Sequence, residues 1–266
     1  MFTKRLASGI VLLLVAVLVV SRGGWLLFAF TVALSFVGLF ELYRVMKIER
    51  HPLGLVGYLT AAAYFGLLWF DGQQHLLLII IGMLMVMMTL YVVTFPRYAT
   101  EEVALAFFGV FYVAVLMSFV YQVRAMPDGQ YMVWLIILSA WGCDTCAYCV
   151  GMLIGRHPLT PQLSPKKSVE GAIGGILGAA ALGYLYGTVL GGRMEAIIKP
   201  ALDCAVACGV GALISQVGDL AASAIKRNHD VKDYGDLIPG HGGVLDRFDS
   251  ILFTAPAVYF AMTFLP

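Results

Sequence analysis

The sequence predicts an all-α, polytopic integral membrane protein with about nine transmembrane helices and a cytoplasmic amino terminus. Of the 266 residues, 61% are hydrophobic and only 12% are charged, and the mean hydropathy is +0.88. A soluble domain carries about 25% charged residues, so this chain has too few to cover a surface that faces water. Because a membrane-spanning helix needs about 20 apolar residues, each long apolar stretch is a candidate span.

Nine stretches approach this length. They lie at 6–21, 25–44, 53–71, 75–95, 103–123, 131–151, 171–191, 200–222 and 248–265. The first is short and follows Lys4 and Arg5, as in a signal peptide, but no clean small-residue cleavage site follows it. We therefore predict a retained first span.

The basic residues predict the orientation. With a cytoplasmic amino terminus, thirteen of the seventeen Lys and Arg residues fall on the cytoplasmic side, as the positive-inside rule requires. The two long polar loops, 152–170 and 223–247, then emerge on that same face, which permits one shared site. An even number of spans, with both termini on one side, is the alternative.

The polar residues predict a division of the chain. Residues 1–130 form five spans with almost no buried charge, and residues 131–266 form the catalytic membrane region. The net charge of +1 gives no reason to expect nucleic-acid binding.

Two acids lie inside apolar stretches. An ionised carboxylate in a span is costly unless it is paired or hydrated, which makes Asp144 a functional candidate; the alternative is an aspartate bonded to a neighbouring helix. If the helix around Asp219 continues, then Asp219, Ser223 and Lys226 share one face. An acid, a hydroxyl and a cation on one stripe suit a metal and a phosphate.

The last span opens with two more acids. Asp246 and Asp249 are three residues apart, and paired carboxylates suit Mg²⁺, which takes the rest of its ligands from water and phosphates. The preceding glycines, Gly240, Gly242 and Gly243, can adopt positive φ and let backbone N–H groups approach an anion. His241 has three open roles: a phosphate donor, a proton relay or a loop contact.

The earlier polar loop reads LTPQLSPKKSVEGAIGG. Ser168 is expected to cap the following helix, since Glu170 follows within one turn. A helix amino terminus beside Lys166 and Lys167 also suits an anion. Both interpretations can hold together.

The run from Ser223 to Asp249, SAIKRNHDVKDYGDLIPGHGGVLDRFD, resembles the conserved motif of the phosphatidate cytidylyltransferases, or CDP-diacylglycerol synthases. The segments WGCDTCAYCVG, SPKKSVEG and VGDLAAS resemble the same family in order and spacing, so the resemblance covers roughly residues 138–255. One departure is Lys167-Ser168 in place of a Lys-Thr pair, which keeps the hydroxyl.

The resemblance implies an enzyme of phospholipid synthesis in the cell inner membrane, with its active site facing the cytoplasm. It would transfer CMP from CTP to phosphatidate and release pyrophosphate, through direct attack of the lipid phosphate on the α-phosphorus. The expected cofactor is Mg²⁺, with a second metal ion left open. Expected partners are CTP, phosphatidate and membrane lipid, with no nucleic acid and with a homodimer left open.

The residues can be assigned to three expected roles. The expected metal ligands are Asp219, Asp246, Asp249 and Asp144. The groups expected to promote the reaction are Asp219, Asp246, Lys226, Arg227 and His241. The groups expected to bind substrate are Lys167, Ser168, Ser223, Lys232, Asp233, Gly242, Gly243 and Arg247.

Three other classes fit less well. A secondary transporter would show repeated halves with charges in both. A CDP-alcohol phosphotransferase would show its own long Asp-Gly to Asp pattern, which is absent from the sequence. A P-loop kinase would need Gly-x-x-x-x-Gly-Lys-Ser/Thr, which is also absent.

Overall fold

The computed structural model describes residues 9, 14–238 and 242–265, apart from the side chain of Gln73. Within these residues the chain is a bundle of long helices, and the all-α membrane fold is confirmed. The helices are α1 (Gly24–Val45), α2 (Pro52–Trp69), α3 (Leu76–Val93), α4 (Thr100–Ala125), α5 (Gly129–Ile154), α6 (Val169–Leu190), α7 (Pro200–Asn228) and α8 (Leu245–Phe264). Residues 14–22 are also helical.

Helices α1 to α7 are long and apolar enough to cross a membrane, with α6 extended by a short 3₁₀ turn at Gly191–Arg193. They match the second to eighth predicted spans. The predicted span 6–21 lies largely outside the described residues, and the predicted span 248–265 corresponds to α8. The total of nine spans and the side of the amino terminus stay predictions.

Small residues draw three helices of the second half together. On α6 they recur every four residues and are buried: Gly171, Gly175, Ala179, Gly183 and Gly187. A Cβ on Gly175 would lie 2.9 Å from Sγ of Cys143 on α5. In a membrane, where lipid is as apolar as a leucine side chain, such close backbone approach supplies much of the helix–helix attraction. Helix α6 therefore packs closely on both α5 and α7.

Two of the long spans are not uniform α-helices. Six- and five-residue π-helical segments interrupt them, Val110–Val115 in α4 and Leu138–Gly142 in α5. Such segments are frequent at functional sites, because the extra residue re-aims the side chains that follow it. The segment in α5 ends two residues before Asp144.

The boundaries of both predicted loops need correction. The loop predicted at 152–170 contains an antiparallel hairpin, β1 (Pro158–Thr160) and β2 (Ser164–Ser168). The loop predicted at 223–247 is shorter at both ends, because α7 continues to Asn228 and α8 begins at Leu245. We call the connection between them the 229–244 loop. The extra helical turns carry Lys226 and Asp246 within regular helix.

Candidate active site

Two carboxylate–lysine pairs bring both polar segments to one end of the bundle. Lys167, at the end of β2, donates from Nζ to Oδ2 of Asp219 on α7. Lys226, two turns further along α7, donates to Oδ1 of Asp246 on α8 at 2.8 Å. Ser223 lies between Asp219 and Lys226 on the same continuous helix, so the predicted stripe exists as a helix face.

Asp246 is enclosed by protein donors. Its side chain is 1% exposed, and Lys226 is 13% exposed. Besides Lys226, the carboxylate accepts the backbone N–H of Tyr234 at 2.7 Å and that of Gly243 at 3.0 Å, both at Oδ2. Asp246 therefore fixes the 229–244 loop to the start of α8, and its two oxygens are already engaged.

Tyr234 ties the same loop to α7. Its hydroxyl donates to the carbonyl of Ala222 at 3.1 Å, and Nζ of Lys226 lies 5.2 Å from its ring centroid. Burial raises the pKa of Tyr234, and the nearby Asp249 and Asp246 carboxylates raise it further. The phenol is thus held neutral as a hydrogen-bond donor.

The first half of the chain also contributes to this end of the bundle, against the expectation of almost no buried charge there. Glu41 on α1 is 3% exposed and accepts the backbone N–H groups of Val244 at 3.0 Å and Leu245 at 2.8 Å. Arg44, one turn later, donates to the carbonyl of Tyr234 at 3.1 Å. The available signal was a single acid near the end of an apolar run, GLFELYR.

A cavity of about 660 Å³, which we call the deep cavity, has a charged end and continues between the helices. Its charged lining is Asp144, Asp219, Lys226, Asp246, Arg247 and Asp249. On α5 its lining runs from Val133 to Asp144, which are 11 residues apart. At 1.5 Å per residue this separation is about 16 Å. The deep cavity therefore extends from its charged end well into the membrane-spanning part of the bundle.

A second cavity of about 510 Å³, the hairpin cavity, lies beside β2 and the start of α6. Its polar lining is Asp144, Tyr148, Ser164, Lys166, Lys167, Ser168 and Gln216. Ser168 caps α6, as predicted, by accepting the N–H of Gly171 at 3.1 Å. Asp144 lines both cavities, and the Lys167–Asp219 pair contributes one residue to each.

Single carboxylates at this end of the bundle fit the way in which Mg²⁺ is usually held in proteins. Among residues 9, 14–238 and 242–265, no three Asp, Glu, His or Cys side chains come close enough to hold one metal together. Mg²⁺ is usually held by one or two carboxylates plus water and substrate phosphates. Asp219 engages Lys167 through Oδ2, and Asp249 engages the N–H of Ser250 through Oδ1 at 2.8 Å. Each carboxylate still has a second oxygen that could bind a metal.

Of the remaining predicted residues, those that the structure describes lie around this end of the bundle. Gly242 has φ +89°, and a Cβ there would lie 3.1 Å from Asp246 and 3.3 Å from Asp233. Arg227 and Lys232 are exposed, at the end of α7 and in the 229–244 loop. His241, with Pro239 and Gly240, lies outside the described residues. None of these positions assigns a role by itself.

The comparisons with known proteins agree on one family. The model described as "Cytidylyltransferase family" matches residues 3–265. The phosphatidate cytidylyltransferase of Bacillus subtilis (strain 168) is 30% identical over 266 residues, covering 97% of each chain. The proteins of the same name from Staphylococcus saprophyticus and Staphylococcus aureus (strain COL) are 29% and 30% identical, covering 95% of each chain.

Proposed function

This chain belongs to the cytidylyltransferase family and is a nucleotidyltransferase, and on that premise we propose that it transfers CMP from CTP to phosphatidate, giving CDP-diacylglycerol and pyrophosphate. The observation that carries the proposal is the pair of cavities that share Asp144 and meet at the Lys167–Asp219 pair. A reaction between a membrane lipid and a soluble, highly charged nucleotide needs two differently lined sites in contact.

The deep cavity suits the lipid. Its walls include Phe30, Leu34, Val120 and Ile136, which lie within spans, while Lys226 and Arg247 lie at its polar end. Acyl chains can leave the bilayer at little cost only for surroundings that are equally apolar, and a phosphate headgroup is stabilised by cations. We assign the chains to the apolar walls and the lipid phosphate to the polar end.

The hairpin cavity suits the nucleotide. It combines two lysines, two serines and the amino terminus of α6, a combination that favours phosphate groups. Lys166 is exposed and Lys167 is partly exposed, so the triphosphate could enter from the aqueous side. We assign CTP to this cavity, with its α-phosphorus near the Lys167–Asp219 pair.

The chemistry then needs no protein nucleophile. An oxygen of the lipid phosphate attacks the α-phosphorus of CTP, and the bond from that phosphorus to the bridging oxygen breaks, so that pyrophosphate leaves with the electron pair. Lys167, Lys226 and Arg247 align the phosphates and offset their charge, the main requirement of phosphoryl-group chemistry. When bound, Mg²⁺ would supply further neutralisation of the triphosphate.

Asp219 and Asp249, with Asp144, are our first choice to hold that ion. Both oxygens of Asp246 are engaged by Lys226 and two backbone N–H groups, so we assign Asp246 mainly to holding the loop. The chain is a multi-pass membrane protein, and we further propose the inner membrane, with the site facing the cytoplasm. The basic residues support that orientation.

Two radiolabels test the proposal. Purified protein in detergent is incubated with phosphatidate and CTP labelled at the α- or the γ-phosphate, with Mg²⁺ or with EDTA. We expect the α-label to enter the lipid, the γ-label to leave as pyrophosphate, and EDTA to stop both. Asp219→Asn should lose activity.

Asp203→Asn is the matched control, because Asp203 is also a buried carboxylate on α7. It accepts the backbone N–H of Lys199 in the first turn of that helix, far from Asp219. This control should stay active. Entry of the γ-label into lipid, or no labelled lipid from well-folded wild type, would refute CMP transfer.

A further inference from the structure

Glu41 is a buried carboxylate for which the proposed reaction has no direct use. It lies within the α1 span, is 3% exposed, and directs both oxygens at the start of α8. Oε1 accepts the N–H of Val244 and Oε2 accepts that of Leu245. A carboxylate at this depth is costly unless it is well paired, so its retention calls for a specific role.

The 229–244 loop is built closely around this side chain. A Cβ on Gly243 would lie 2.6 to 2.7 Å from the Glu41 carboxylate, closer than real contacts allow. A Cβ on Gly235 would also meet it, within 2.9 Å of its Cδ. Two glycines therefore let the backbone approach the carboxylate closely.

The contact fixes the direction in which α8 begins. The first N–H groups of a helix have no partner within the helix, and Glu41 accepts two of them at the point where α8 starts. Asp246 is the residue after Leu245, and Asp249 follows one turn later. Any shift in the start of α8 moves both carboxylates relative to Lys226 and Asp219 on α7.

We propose that Glu41 is a positioning residue that sets the start of α8, and with it Asp246 and Asp249, for the reaction. The inference rests on the proposed function, since it assigns Glu41 a part in the same site. Arg44 assists by holding the carbonyl of Tyr234 in the same loop. Glu41 and Arg44 thus act on the site without contacting substrate.

The test compares Glu41→Gln with wild type and Asp203→Asn. A glutamine keeps the size but offers one acceptor where two N–H groups need one each. We expect hydrogen exchange in a peptide spanning 242–250 to become faster and kcat to fall roughly 10- to 100-fold, because a misplacement of about 1 Å can cost on the order of 10²-fold. Half-saturation by Mg²⁺ should shift to higher concentration. Asp203→Asn should change none of these three readouts, even if its melting temperature falls as far.

A second variant covers the case in which Glu41→Gln does not fold. Arg44→Gln removes the hydrogen bond to the carbonyl of Tyr234. Because the Arg44 side chain is 45% exposed, we expect this variant to fold and to change the same readouts less than Glu41→Gln. The inference would be overturned if hydrogen exchange in 242–250 stayed unchanged in both Glu41→Gln and Arg44→Gln. It would also be overturned if Asp203→Asn changed the three readouts as much as Glu41→Gln does. Inactive wild type would refute the proposed function instead, while the exchange comparison would still decide whether Glu41 sets the start of α8.

Discussion

Replacing Asp246 by asparagine should break the Lys226–Asp246 pair while sparing the loop contacts. The two backbone N–H groups both bind Oδ2, whereas Lys226 binds Oδ1. An asparagine can place its carbonyl oxygen at the Oδ2 position and keep both backbone bonds. Its NH₂ group then faces the Lys226 ammonium, so a donor meets a donor.

The expected cost follows from burial. Removing one partner of a buried pair costs about 3–5 kcal/mol, because the other charge stays behind unpaired. Lys226 is 13% exposed and can reach some water, so the lower end, about 3 kcal/mol, applies. In the double variant Lys226→Met/Asp246→Asn no unpaired charge stays buried. Its loss of unfolding free energy should therefore be smaller than the sum of the two single losses by about 1–3 kcal/mol.

The assay is a double-mutant cycle. The free energy of unfolding of wild type, both single variants and the double variant is measured in one detergent by denaturant titration. Non-additivity below about 0.5 kcal/mol would refute the reasoning, since independent sites add within that margin. Activity should fall in all three variants, because Lys226, which we assign to a phosphate at the polar end of the deep cavity, loses either its charge or the partner that positions it.

Three further predictions concern single positions. Gly243→Ala should destabilise the protein by about 1–3 kcal/mol through overpacking against Glu41, whereas Gly192→Ala, where a Cβ meets nothing within 4 Å, should change the melting temperature little. Ser168→Ala should cost about 1 kcal/mol through loss of the α6 cap, read from the same unfolding titration. Because the pKa of Tyr234 is raised in the fold, the folded protein keeps that proton above pH ~10, where the unfolded phenol loses it. The contribution of Tyr234 to the free energy of unfolding is therefore fully present below pH ~10 and is lost as the pH rises further. A Tyr234→Phe variant that loses as much unfolding free energy above pH ~10 as wild type does would contradict this.

Local patterns in the sequence were enough for the helices and for the cap at Ser168. Hydrophobic length decides a span, and a cap depends on residues within one turn, so both can be read locally. The resemblance to the cytidylyltransferases was likewise confirmed, and the family match extends over the first half of the chain as well.

Features that depend on distant partners were missed. The contacts from Glu41 to Val244 and Leu245 join residues more than 200 positions apart. The hairpin strands are three and five residues long, too short for an alternating pattern, and their prolines and serines resemble a loop. The predicted span 200–222 stops short of the end of α7 at Asn228, because apolar length sets the limits of a span whereas the helix continues through the polar residues that follow.

The central claim is that lipid and nucleotide occupy the two cavities that meet at Lys167 and Asp219. The most direct measurement is the KM for each substrate in two variants, Leu34→Trp in the deep cavity and Lys166→Ala in the hairpin cavity. We predict that Leu34→Trp raises the KM for phosphatidate several-fold with little change for CTP, and that Lys166→Ala does the reverse, as expected when ground-state binding is lost at one site only. The account would be contradicted if both variants raised the KM for the same substrate. It would also be contradicted if Leu34→Trp raised the KM for CTP and Lys166→Ala raised that for phosphatidate.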